Sequence, residues 1–124
     1  MQILKTRLFD KWARKERLSD ALLKNAITEM ESGIIDTAIG AGIYKKRIPL
    51  IGRGKRGGAR CIIAYKTHSK AFFIFGYAKN ARENITQEER RIIKSLADEV
   101  LNYTPEQLKI LVKDKKLIEV NHDG

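Results

Sequence analysis

Arg60, Tyr77 and Lys79 are the residues whose types and spacing are best suited to chemistry, and the chemistry is that of a phosphodiester. A transferring phosphoryl group gains negative charge in its transition state, which fixed Arg or Lys side chains stabilise. Arg60 stands at the start of Ala59 to Lys66, an apolar segment with the β-formers Ile62, Ile63 and Tyr65. Lys79 follows the next such segment, Ala71 to Ala78, which holds Phe72, Phe73, Ile74, Phe75 and Tyr77. Only Thr67-His68-Ser69-Lys70 separates the two, so they should form an antiparallel hairpin. The start of one strand then lies beside the end of the next, and Arg60 and Lys79 converge at one rim. Arg60 is the better candidate for a bidentate phosphate clamp. Tyr77 shares the face of Lys79 in a regular strand and could stack on a base or share a proton. Beside them, Gly52-Arg53-Gly54-Lys55-Arg56-Gly57-Gly58 reads as a loop. Its glycines would let the backbone approach a phosphodiester while Arg53, Lys55 and Arg56 supply charge.

Other chemistries fit poorly. Gly52-x-Gly54-x-x-Gly57 matches a dinucleotide fingerprint in letters, but a strand follows it where a helix should, and the next acid is Glu83. A phosphate loop of the P-loop kind fails because Arg56, not Ser or Thr, follows Lys55. His68 lies in a turn and His122 in the tail, neither beside a second ligand at helical or strand spacing, so no metal site is expected. Paired-carboxylate chemistry lacks acids in the basic core, and no nucleophile elbow is present. The single cysteine, Cys61, excludes a disulfide framework and reads as a buried, inert thiol. No cofactor is implied.

The charge layout supports a polyanionic partner. The chain has 124 residues and a net charge of +10, with 25 Lys and Arg against 15 Asp and Glu. From Thr37 to Arg82 there is no acid at all, while eleven basic residues fall in that window. Outside it, 14 basic residues face 15 acidic ones, so the whole excess sits in the middle third. A pI near 9.9 points to nucleic acid or an acidic protein. A hydrophobic content of 43% is enough for one core, and the length suits a single domain over residues 1–124. Apolar runs fall far short of the ~20 residues a membrane helix needs, and the first residues carry no secretory pattern. A soluble, cytoplasmic protein with no membrane partner is expected.

The elements that must position these residues follow from periodicity. Met1 to Thr6 reads as a strand. Phe9, Trp12 and Ala13 recur at helical spacing to about Lys15. Ser19 caps a second helix whose stripe is Leu22, Leu23, Ala26, Ile27 and Met30, stopped by Gly33. Ile43 to Leu50 is a strand. After the hairpin, Thr86-Gln87-Glu88-Glu89 and Thr104-Pro105-Glu106-Gln107 are capping boxes, the second with Pro at N1. They open helices carrying Ile92, Ile93, Leu96, Ala97, Val100 and Leu101, then Leu108, Leu111 and Val112. Leu117, Ile118 and Val120 form an edge strand or a docked tail, and residues 104–124 are expected to be peripheral. Trp12, Phe72, Phe73 and Phe75 belong to the core rather than to a stacking platform. The order β-α-α, three β segments, then two helices implies an α+β fold, a small antiparallel-rich sheet packed by helices.

Lys45-Lys46-Arg47-Ile48, the glycine run through Arg60, and Phe73-x-x-Gly76-Tyr77-x-Lys79-Asn80-x-Arg82-x-Asn84-Ile85 together resemble the HigB-type toxins of the RelE/ParE superfamily. Met30-Glu31-x-Gly33-x-x-Asp36 and Gln107-Leu108 with Leu117-Ile118-Glu119 extend the similarity over nearly the whole chain. The resemblance implies a RelE-like fold and the toxin of a bacterial type II toxin–antitoxin system. It implies metal-independent cleavage of mRNA, usually on the ribosome, and neutralisation by a cognate antitoxin. Arg60, Lys79 and Tyr77 would be the catalytic set. Lys45, Lys46, Arg53, Lys55, Arg56 and Arg82 would hold mRNA or ribosomal RNA. Some relatives use a histidine where this chain has Tyr77-Ala78-Lys79, so the general base would have to be Tyr77 or Lys79, unless ribosomal RNA helps. The superfamily also contains gyrase poisons, and a non-catalytic RNA-binding module or an inactive remnant would share the fold.

Overall fold

A computed structural model of the chain describes residues 1–50, 52 and 54–120, with backbone alone at 54–56. The chain runs β1 (Gln2–Thr6), α1 (Arg7–Lys15), α2 (Asp20–Glu31), β2 (Thr37–Gly40), β3 (Ile43–Leu50), β4 (Gly54–Lys66), β5 (Lys70–Ala78), α3 (Gln87–Leu101), α4 (Pro105–Lys113) and β6 (Leu117–Glu119). The six strands form one sheet in the order β2-β3-β4-β5-β1-β6. β1 runs parallel to β5, and the other neighbours are antiparallel. The fold is α+β with a mixed sheet.

Helices cover both faces. On one face Phe9 and Ala13 of α1 and Leu23, Ala26, Ile27 and Met30 of α2 pack against Ile48, Cys61, Ile63 and Phe73. On the other, Ile93, Ala97 and Val100 of α3 and Leu108 of α4 pack against Leu4, Ile43, Ile62 and Phe72. A strand buried on both sides reads as a continuous apolar run, which is why 61–64 shows no alternation. Cys61 is fully buried in the first layer, and burial pushes its thiol far above the ordinary range, so it stays protonated.

Local signals set the helix ends where expected. Ser19 accepts the Leu22 N–H at 3.2 Å. Gly33, at φ +90°, ends α2 in a conformation that glycine adopts without strain. Both capping boxes form, Thr86 with Glu89 and Thr104 with Gln107. Gly76 answers a packing demand instead: a Cβ there would lie 2.3 Å from the Trp12 ring, which rests directly on the backbone of β5.

Three elements differ from the sequence reading. The glycine run is not a loop: β4 already begins at Gly54, and Leu50 pairs with Gly54 around a turn in which Gly52 has φ +78°. Pairing with β3 on one side holds residues of low β-propensity extended, and β5 joins on the other side only from Gly58 onward. A further short strand, β2, pairs with β3. The C-terminal segment differs in part. β6 is an edge strand, one of the two forms expected. Through residue 120, however, the segment is tied in rather than peripheral, since β6 pairs with β1 and Leu108, Leu117 and Val120 are buried.

Candidate nucleic-acid interface

The register of β3, β4 and β5 builds the site. Arg47 pairs with Arg60, and Arg60 with Tyr77, so the three lie in one row across the sheet. Lys45 lies two residues from Arg47, on the same face. A β-bulge places this row. Ile62 pairs with Phe75 but Ile63 with Phe73, so Ile74 is an extra residue on β5. Without that insertion Gly76, not Tyr77, would stand opposite Arg60. The expected rim closes at Lys79, whose backbone N–H donates to the Gly58 carbonyl at 2.9 Å. Arg60 and Lys79 thus meet at one end of the hairpin.

Each cation has its own surroundings. Arg60 is 9% exposed, and its Nη1 donates to its neighbour's carbonyl, Ala59 O, at 3.3 Å. Lys79 Nζ pairs with Glu83 Oε2 at 3.0 Å. Arg82 donates from Nη1 and Nη2 to the two carboxylate oxygens of Glu89, both at 2.8 Å. Its guanidinium carbon stands 5.2 Å from the Phe75 ring centroid and 5.3 Å from that of Tyr77. Lys45 Nζ donates to Asn84 Oδ1 at 3.2 Å. Burial, then the charges of Lys79, Arg60 and Arg90, push the Lys45 ammonium below its ordinary range.

Tyr77 is 4% exposed, and its hydroxyl is buried with no hydrogen-bond partner among the described residues. Burial raises its phenol; Arg60 and Arg82 pull the other way, Glu83 and Glu89 with it, and the net direction is up. The phenol therefore holds its proton at neutral pH and is a poor base.

Lys46 corrects the expected RNA-binding set. Alternation along β3 turns it to the opposite face, where it is 1% exposed and pairs with Glu29 of α2 at 2.7 Å. It is a structural ion pair with no ammonium to offer a ligand. Arg53 lies outside the described residues, as do the side chains of Lys55 and Arg56. His122 lies outside them too, and His68 is an exposed residue at φ +60° in the β4–β5 turn.

The structure adds participants that sequence reading missed. Arg47 is one, although Lys45-x-Arg47 at strand spacing was a usable signal. Arg90, on α3, contributes to the field at Lys45. The acid-free window is also not an acid-free face. Asp36 lies just before it and accepts the Arg47 N–H while pairing with that guanidinium. Glu83 and Glu89 lie just after it and fold back onto Lys79 and Arg82. Like-charged Arg47 and Arg60, directly opposite across two strands, would otherwise repel each other.

A crowded cationic row with a buried arginine is suited to an oligoanion with closely spaced charges. The protein-family model described as RelE toxin of RelE / RelB toxin-antitoxin system matches residues 1–120 of the chain. A comparison with curated proteins returns no match.

Proposed function

We propose that this chain, which belongs to the RelE toxin family of toxin–antitoxin systems, is a metal-independent endoribonuclease of the HigB type that cleaves mRNA on the ribosome. The observation that carries the reading is the row Arg47–Arg60–Tyr77 with Lys45 beside it and Lys79 at its rim. Such a site supplies fixed positive charge where a phosphorane develops negative charge. Among the described residues no helix is long and apolar enough to cross a membrane, which accords with action in the cytoplasm.

The reaction is an intramolecular transfer. The substrate 2′-oxygen attacks the adjacent phosphorus, the O2′–P bond forms, and the P–O5′ bond breaks. Lys45 lies two residues from Arg47 on the same face, and burial, then its neighbours, push its ammonium below the ordinary range. It is the base of the proposed reaction and takes the 2′-hydroxyl proton in the fraction of molecules in which it is deprotonated. This replaces the expectation that Tyr77 or Lys79 is the base, since Tyr77 holds its proton and Lys79 is ion-paired. Arg60 stabilises the non-bridging oxygens. Lys79 releases Glu83 and gives a proton to the leaving 5′-oxygen. The products are a 2′,3′-cyclic phosphate and a 5′-hydroxyl, and the proton count closes. Arg47, Arg53, Lys55 and Arg56 engage RNA phosphates or ribosomal RNA. The cognate antitoxin covers this basic face with an acidic surface of its own.

The test is induction of the gene followed by mapping of RNA 5′ ends, with translated and untranslated RNA compared. Arg60→Ala should lower cleavage about a hundredfold or more, and Lys79→Ala comparably. Full cleavage by both variants would sink the site. Intact RNA together with trapped supercoiled-DNA breaks would replace the reading with gyrase poisoning. Cleavage by purified toxin and ribosomes should survive a chelator that strips divalent ions at a concentration leaving the ribosomes assembled.

A further inference from the structure

We infer that the surface on which a substrate nucleobase stacks is the guanidinium plane of Arg82, held flat by Glu89, and not the ring of Tyr77; this rests on the reading that the row binds single-stranded RNA. The Tyr77 ring is almost wholly buried, and Arg82 lies over it and over Phe75. The two rings are 6.5 Å apart, so one guanidinium bridges both. No base can reach the Tyr77 ring without first displacing that arginine.

Arg82 is not organised as a phosphate ligand. Its two terminal nitrogens both donate to Glu89, which neutralises the charge and fixes the plane. Glu89 in turn is fixed by the helix it caps, because its Oε1 also accepts the Thr86 N–H at 2.8 Å. The guanidinium carbon stands over both rings of the aromatic pair, and the Arg82 side chain is still 34% exposed. A guanidinium backed by π-systems, anchored at its edge and partly exposed is suited to be a stacking platform, a role arginine planes fill in single-stranded RNA recognition. Glu89 is then a positioning residue: it touches no substrate but sets the angle of the group that does.

The experiment uses the full chain and a fully 2′-O-methylated RNA, which cannot be cleaved because the nucleophile is blocked. A single 2-aminopurine is moved through each position, and binding (anisotropy) and stacking (fluorescence quenching) are read together. The wild type should quench the probe at one position. Arg82→Lys keeps the charge but loses the plane and the fork. It should keep the salt dependence of binding, lose the quenching, and bind about tenfold more weakly. Glu89→Gln keeps a residue accepted in the capping box, so the helix start is preserved while the charged fork is lost. It should fold cooperatively yet quench less at saturation. Quenching by Arg82→Lys equal to wild type would overturn the inference. So would salt-dependent binding by wild type without quenching at any position, which leaves the RNA-binding reading standing. Failure of wild type to bind the RNA, both free and in the presence of ribosomes programmed with it, would overturn both.

Discussion

Burial, and after it the charges of three other cations, set the direction in which Lys45 responds to pH. Its folded value lies below the ordinary 10.5, so between the two the unfolded chain binds more protons, and folding gains as pH rises through that window. Cleavage that needs the free amine should rise about tenfold per pH unit up to the folded value and then level. Lys45→Arg should flatten that rise, read as kcat against pH. Glu89 is displaced in the same direction, and its contribution to stability likewise grows with rising pH. The Arg82 hydrogen bond, then the Thr86 backbone, hold its carboxyl below 4.5, so its contribution is present above that value and fades as pH falls through the folded one. The Tm difference between wild type and Glu89→Gln should therefore close in acid. Tyr77→Phe removes a buried hydroxyl without a partner and should raise stability by about 1 kcal/mol in chemical denaturation. Lys46→Met should lower stability by about 2 kcal/mol, since it leaves Glu29 facing an apolar contact, while cleavage persists.

At the level of elements, the hairpin that carries Arg60 and Lys79 was legible because two β-forming runs flank a four-residue turn. The capped helices were legible because their caps are local chemistry. What hid was set by partners. Thr37–Gly40 has no alternation to read and is a strand only because β3 accepts it. The glycines of 54–58 look like loop by composition and are extended by pairing. The bulge at Ile74, which decides that Tyr77 rather than Gly76 faces Arg60, leaves no trace in residue types. Alternation along β3 is enough to separate Lys45 from Lys46. Gly76 gives the sharpest element-scale test. Gly76→Ala drives a methyl into the Trp12 ring and should cost about 2–3 kcal/mol, seen as a lower denaturation midpoint with an unchanged m-value.

On the scale of the whole molecule, the basic window is less bare than its composition. Lys46, Arg47, Lys79 and Arg82 are each answered by an acid from outside it: Glu29, Asp36, Glu83 and Glu89. Under the proposed function, RNA would exchange some of these carboxylates for phosphates. Glu83, with its side chain 89% exposed, is the easiest to displace. Glu83→Gln should tighten RNA binding about two- to threefold at low ionic strength, an advantage that shrinks as salt screens the pair. Equal affinity of the two proteins at low salt would show that Glu83 does not compete.

The strand order has a consequence for timing. β1 is made before the other five strands, yet it lies inside the sheet, between β5 and β6. Its partners are residues 70–73 on one side and 117–119 on the other. Leu4 is completely buried by a layer that includes Leu108 and Leu117. Contacts so far apart in the chain close late. While the polypeptide is being made, its first strand stays an open edge, and the native sheet is completed only after residue 119 has emerged. The hairpin that carries Arg60 and Lys79 thus waits, after its own synthesis, for about forty more residues before the sheet around it is complete.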